Sequence, residues 1–269
     1  MNVPETFPHH TANQRRVEMA GQQAYSSEDG KMRTKPTSIA SVLPLNMAGQ
    51  DWFVGDIHGH YERLGQALDR AGFRRDCDRL ICVGDLVDRG PASKDSLAWL
   101  AEPWFFSVRG NHDDMFLAWR KLRKDPQKQL EYGEDKWFPN GGRWILKTPE
   151  PIQARMETAL SSLPYVLVVP HADGRLVAAV HSNLPSSARW PDLIDQPEAI
   201  MAKAAWNRQR TEQGGAPVEG LDAVVCGHTP MRKPTWIGHF FHIDTGGWRE
   251  DGTFTLVTLD KILGDTRNA

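Results

Sequence analysis

The chain has little of what would place it outside the soluble globular class. No stretch of its 269 residues approaches the roughly 18 consecutive apolar residues of a membrane-spanning helix. The polar N-terminus has no apolar segment of the kind that forms a secretory signal. Cysteine is scarce: Cys77, Cys82 and Cys226 are an odd set without zinc-finger spacing, and two of them sit inside apolar runs. They read as reduced, mostly buried thiols in a cytoplasmic protein, not as a disulfide framework. Basic charge is not in excess, and a formal net charge of -2 gives no general attraction to nucleic acid or to an anionic membrane. No solenoid-type repeat occurs. Residues 1–38 are poor in aliphatics and lack any helical or strand period, so they are expected to form a disordered tail in which His9 and His10 are simply solvated.

What remains is ordinary in composition, 40% hydrophobic and 25% charged, and long enough to bury a sizeable core. A single domain over residues 39–269 is expected. Its organising stretch is Val83-Gly84-Asp85-Leu86-Val87-Asp88-Arg89-Gly90-Pro91, where the apolar run Leu80 to Val83 delivers two carboxylates and an arginine into a turn. A lone aspartate after a strand is usually a turn or cap residue. Here four further segments repeat the pattern of an apolar run followed by glycine or charged and metal-binding side chains.

The first is Trp52-Phe53-Val54, ending in Gly55-Asp56-Ile57-His58-Gly59-His60. Asp56 and His58, at i and i+2, point to the same side of an extended backbone, which allows both to meet one ion. His60 reads as a helix-start or rim residue in preference to a third ligand. Leu64, Ala67, Leu68 and Ala71 predict an amphipathic helix stopped by Gly72. A helix is expected over Ser93 to Ala101, then a strand over Trp104 to Val108 ending in Arg109-Gly110-Asn111-His112-Asp113. This β-α alternation predicts a layered α/β fold with its charged residues at the strand ends. Residues 112–124 read as helix, and Asp125 to Glu150 as an irregular excursion bearing Trp137, Phe138 and Trp144, either a functional lid or surface packing. Helical character returns over Ile152 to Ser162. Tyr165 to Val169 and Leu176 to Val180 predict a hairpin, the second run ending in His181-Ser182-Asn183. Leu221 to Cys226 ends in Gly227-His228-Thr229-Pro230, and short runs at Phe240 to Ile243 and Phe254 to Leu259 close the chain.

Asp56, His58, Asp85, Asn111, His181 and His228 are six oxygen or nitrogen donors, each just after an apolar run. Six is too many for one tetrahedral ion and suits two ions that share a carboxylate, with the central Asp85 as the bridge. Spacing alone leaves open a dinuclear site or a scatter of core histidines.

In order and spacing these motifs resemble those of the calcineurin-like metallophosphoesterases, and more closely the phosphoprotein phosphatases of the small bacterial and phage lambda type. Asn140-Gly141-Gly142, Trp206-Asn207-Arg208, Lys233-Pro234 and Ile243-Asp244-Thr245-Gly246 are similar to smaller motifs of that group, and the likeness runs from Trp52 to Leu259. The resemblance implies a four-layer αββα sandwich with a dimetal centre at the strand ends. One ion would be held by Asp56, His58 and Asp85, and the other by Asp85, Asn111, His181 and His228. Manganese is the expected metal, with iron and zinc as the alternative. It also implies a metal-dependent phosphomonoesterase, a serine/threonine protein phosphatase with phosphotyrosine as a further candidate substrate, working by direct attack of a hydroxide that bridges the ions. Two cations roughly 3.5–4 Å apart can generate that hydroxide near neutral pH and clamp the phosphoryl oxygens. His112 would be the general acid, Asp88 its orienting carboxylate, and Arg89 and Arg208 the phosphate-gripping residues. Arg109 is expected to be structural.

Two departures stand out. Pro230 occupies a position where many metallophosphoesterases carry a further histidine, and Asp113 stands where the protein phosphatases usually have Glu, which shortens the carboxylate's reach. The nearest rival is a symmetrical dinucleoside tetraphosphate hydrolase, which resembles the same family but typically has Ala where this chain has Asp88. A non-catalytic scaffold of the same fold would usually have lost ligands or the acid, and every one is present here.

Overall fold

The computed structural model of the chain describes residues 40–185, 189–190, 193, 204–207 and 217–266. The expected tail over residues 1–38 and Arg208 lie outside this set. Ten strands form two mixed sheets among the described residues. The smaller contains β2 (Asp51–Val54), β3 (Arg79–Cys82), β4 (Phe105–Ser107) and β10 (Leu256–Thr258), in the order β10-β2-β3-β4. The larger contains β1 (Ala40–Val42), β5 (Val166–Pro170), β6 (Leu176–Val180), β7 (Ala223–Cys226), β8 (Thr235–Ile237) and β9 (Phe240–His242), in the order β1-β5-β6-β7-β9-β8.

Strands β2, β3 and β4 are mutually parallel, with Phe53 beside Ile81 and Ile81 beside Phe106. Parallel pairing needs crossovers, and here they are α1 (Tyr61–Ala71) and α2 (Ser96–Leu100), the latter preceded by a 3-10 turn over Ser93–Asp95. The buried face of α1 is Tyr61, Leu64 and Leu68, and Gly72 ends it in the left-handed region at φ 75°, as its sequence pattern predicts. In the larger sheet, β5 and β6 make the expected antiparallel hairpin, while β6 and β7 run parallel.

The sheets face each other across a core that interleaves Phe53, Ile81 and Val83 from one with Leu167, Val177, Val225 and Phe241 from the other. The outer face of the smaller sheet packs on α1, α3 (Asn111–Lys121) and α5 (Glu150–Ser161) through Leu64, Phe116 and Leu160. The outer face of the larger sheet is covered by Leu184, Trp190, Leu193 and Val218. This is the sandwich of two sheets with helices that the motif order implied. No described helix is long and apolar enough to cross a membrane.

One expectation is corrected. Residues 125–150 are not irregular: they form α4 (Pro126–Tyr132), a π-type turn over Gly133–Trp137 and 3-10 turns over Phe138–Asn140 and Gly142–Lys147. Asp125 caps α4 by accepting from Lys128 N–H, with Pro126 in the first turn. The apolar period is hidden because α4 buries none of its residues. Trp137, Phe138 and Ile145 carry the burial instead, packed in the core that also holds Phe116 and Trp119 of α3. Arg109 is structural as expected, donating to the carbonyls of Ser161 and Leu163 and to the Tyr165 hydroxyl.

Candidate metal centre and proton donor

The loops after the parallel strands meet at one edge, where the carboxyl ends of β2, β3, β4, β6 and β7 converge. They are laced by backbone hydrogen bonds: His58 N–H donates to Asp85 O at 2.8 Å and Gly59 N–H to Leu86 O at 3.0 Å. The packing leaves no room at Gly110, where a Cβ would lie 2.1 Å from Asp85 Oδ1. Among the described residues the non-glycines with positive φ are His58, Asp85, Asp88, Arg89 and His228, all from the expected site. A left-handed non-glycine residue is strained by about 1–3 kcal/mol, and such strain persists only where the surroundings impose it.

Asp113 supplies part of that imposition. Its carboxylate accepts Gly110 N–H at 2.9 Å and Leu86 N–H at 3.1 Å, so the shorter side chain reaches both loops. Asp113→Ala would leave two buried N–H groups unpaired, and we expect a loss of roughly 2–4 kcal/mol in stability. Thermal unfolding checks this, with an unchanged midpoint as the contrary result.

All six expected ligands are buried. His58 Nδ1 lies 2.9 Å from Val87 O and His181 Nδ1 lies 2.8 Å from Val83 O. Each carbonyl keeps a proton on Nδ1, which leaves Nε2 of both neutral rings as a bare acceptor. Both Nε2 atoms are 3.4 Å from Asp85 Oδ2. Asn111 Oδ1 is 2.9 Å from His181 Nε2 and 2.8 Å from His228 Nδ1. Asp56 joins from β2, its carboxylate 3.2 Å from His228 N–H and 3.9 Å from His181 Nδ1. Around His181 Nε2 acceptors thus face acceptors, an arrangement that needs a cation or a proton between them, whereas His58 Nε2 also has Arg89 Nη1 at 2.9 Å.

The electrostatics agree. Burial, with Asp244 beside it, pushes the Asp56 carboxyl well up. Burial works the same way on Asp85, but the imidazoles of His181, His112 and His58 overcome it and hold Asp85 well below the carboxylate range. Burial also disfavours a charged His181, yet the Asp85 and Asp56 carboxylates outweigh it and push this imidazole up to about 10. The cluster draws positive charge, and its donors are those that bind divalent ions. Among the described residues two triads have donor atoms within 4.8 Å of one another, Asp56-Asp85-His181 and His58-Asp85-His112; Asp85 belongs to both, but Asp56 groups with His181 instead of His58, and His112 stands among possible ligands.

His112 differs from the other site histidines. Its Nδ1 is 2.8 Å from Asp88 Oδ2, and its backbone N–H donates to Asp85 Oδ1. A carboxylate-held imidazole beside a cluster of metal-type donors is equipped for proton transfer. Arg89 is exposed at the mouth, with Nη1 2.9 Å from His58 Nε2 and Nη2 3.0 Å from His112 Nε2, its guanidinium over the Trp248 ring at 4.4 Å. His60 is a half-buried residue at the start of α1, as expected.

Three site side chains carry no motif in the sequence reading. Trp137 and Trp144 donate their indole N–H groups to Asp88, and Trp248 stacks beside Arg89. The only sequence signal for the first two is the cluster of aromatics around Asn140-Gly141-Gly142. Trp248 had none beyond following Asp244-Thr245-Gly246-Gly247.

Residues 52–232 match the calcineurin-like phosphoesterase family. The chain is 34% identical over 216 residues to serine/threonine-protein phosphatase 1 of Salmonella typhimurium, covering 79% of this chain and 93% of that one. It is 25% identical to the symmetrical bis(5'-nucleosyl)-tetraphosphatase of Proteus mirabilis, over 71% of this chain and 77% of the relative. Among solved structures it shares the fold of a protein serine/threonine phosphatase from Saccharomyces cerevisiae, with TM-score 0.50 and 17% identity over 90% of this chain and 87% of that one.

Proposed function

The chain belongs to the calcineurin-like phosphoesterase family, and from that premise we propose that it is a protein phosphatase that hydrolyses phosphoserine and phosphothreonine, with phosphotyrosine as a further substrate. In this reading Asp56, His58 and Asp85 hold one divalent ion and Asp85, Asn111, His181 and His228 hold a second. Divalent ions there, assigned as manganese with iron and zinc as the alternative, supply a water of lowered pKa and neutralise phosphoryl charge.

The protein's own groups do the rest. Asp88 holds His112 so that Nε2 faces the leaving oxygen and can protonate it. Arg89, being exposed, can exchange its two imidazole partners for two phosphate oxygens, which a planar guanidinium grips in bidentate fashion. Arg208 is assigned the same task from its motif. Three free thiols fit a cytoplasmic setting.

The observation that carries the reading is the buried Asp88–His112 pair at 2.8 Å, which a tetraphosphate hydrolase with Ala at that position would lack. The test is phosphate release by the manganese-loaded protein from a phosphopeptide panel beside hydrolysis of diadenosine tetraphosphate at matched concentration. Faster turnover of phosphopeptides is expected. Faster cleavage of the dinucleotide would replace this reading with the symmetrical tetraphosphatase.

A further inference from the structure

Asp88 is fully buried, yet its carboxylate has three side-chain donors. Oδ2 takes His112 Nδ1 and Trp137 Nε1, each at 2.8 Å, and Oδ1 takes Trp144 Nε1 at 2.8 Å. Neither indole comes from the loop that carries Asp88. Both belong to the turns after α4, about fifty residues along the chain by sequence separations of 49 and 56.

The rings that bring these donors in are themselves fixed. Trp137 is completely buried against Phe116, Trp119 and Phe138, with ring centroids 5.9, 5.3 and 5.7 Å away. Trp144 stacks on Phe116 with 20° between the planes. Between them, Gly142 presses on the Trp137 ring, and a Cβ there would lie 2.4 Å from it. Gly141, at φ 104°, lies against the backbone of Arg89, 2.6 Å from its nitrogen measured from where a Cβ would stand. One segment therefore fits the Asp88 side chain and the Arg89 main chain together.

The chemistry explains why indoles serve here. An indole N–H donates and never accepts, so it favours the ionised carboxylate. It carries no charge, whereas a lysine or arginine at the same place would compete with His112 for the charge of Asp88. Donors on both oxygens also stop the carboxylate from rotating about its terminal bond, which keeps Oδ2 aimed at His112 Nδ1.

We propose that Trp137 and Trp144 are positioning residues for proton donation, paired indole N–H groups that lock the Asp88 carboxylate in the orientation that presents His112 to the leaving oxygen. This deepens the phosphomonoesterase reading and rests on it.

The experiment is the leaving-group dependence of kcat for aryl phosphates, from p-nitrophenyl phosphate to phenyl phosphate, in the manganese-loaded full chain. Trp144→Phe keeps the ring and deletes the N–H. It is expected to lose about tenfold on phenyl phosphate, the lower end of what a removed supporting hydrogen bond costs, and distinctly less on p-nitrophenyl phosphate, whose leaving group needs less protonation. Metal content stays at the unmodified level. In an Asp88→Asn background the same change is expected to add little, because the partner through which Trp144 acts is gone. Trp137→Phe, which also keeps a ring in the core, repeats the test from the other oxygen.

An equal loss on both esters, or a full additional loss in the Asp88→Asn background, would mean general loosening of the site and would overturn the proposal. No loss in either variant would do the same. Failure of the protein-phosphatase reading is seen separately, as an unmodified enzyme that is slow on phosphopeptides, and leaves the aryl phosphate comparison intact.

Discussion

Asp85→Asn is expected to lower kcat/KM for any phosphate monoester by at least about 10³-fold, the several kcal/mol of transition-state stabilisation that bound cations supply. Asp85 is the one carboxylate shared by both triads, with Oδ2 3.4 Å from Nε2 of both His58 and His181. The amide has almost the same shape but no charge, so each site loses a counter-charge at once. Asparagine is also the substitution that tests charge most cleanly here. Asp85 has φ 52°, a conformation asparagine tolerates, and the amide oxygen can still accept the His112 backbone N–H. Metal analysis of the purified variant is expected to find fewer than two ions per chain. Two retained ions with near-normal turnover would show that Asp85 is not the bridge.

His112→Asn is expected to act on a different quantity. Both ions are retained, and turnover of esters with poor leaving groups falls by about 10²- to 10⁴-fold, the usual size of a general-acid effect. Geometry alone leaves two roles open to His112: its Nδ1 is tied to Asp88 at 2.8 Å, as an acid requires, while its Nε2, 4.0 Å from Asp85 Oδ2, also completes the triad with His58 and Asp85. Steady-state kinetics with a phosphoserine peptide, alongside metal analysis, checks both halves. Undiminished turnover on a poor leaving group would remove His112 from the proton-donor role, and loss of an ion would make it a ligand.

These effects concern residues that the chain announces. The glycine-flanked carboxylates and histidines at the ends of apolar runs are legible because parallel strands must deliver their carboxyl ends to one edge. Asp113 was legible as a residue and not as a contact, since whether a shorter carboxylate spans to Leu86 N–H and Gly110 N–H depends on how two loops pack. The motif implies a phosphate grip at Arg89, and in the structure its guanidinium lies against two imidazoles and the Trp248 ring. Arg208 lies outside the described residues and remains an assignment from its motif.

By itself, then, the sequence determined the alternation of strands and helices, the six donor residues and their order, because local hydrophobic period and short-range motif chemistry are written in adjacent residues. Only the tertiary structure decided what holds the Asp88–His112 pair. Residues 125–150 have no amphipathic period to read, and their function lies in two indoles meeting a carboxylate 49 and 56 positions earlier. Contacts at that separation arise from how α3 and the aromatic core set the turns after α4, and no local pattern encodes a packing relation of that kind.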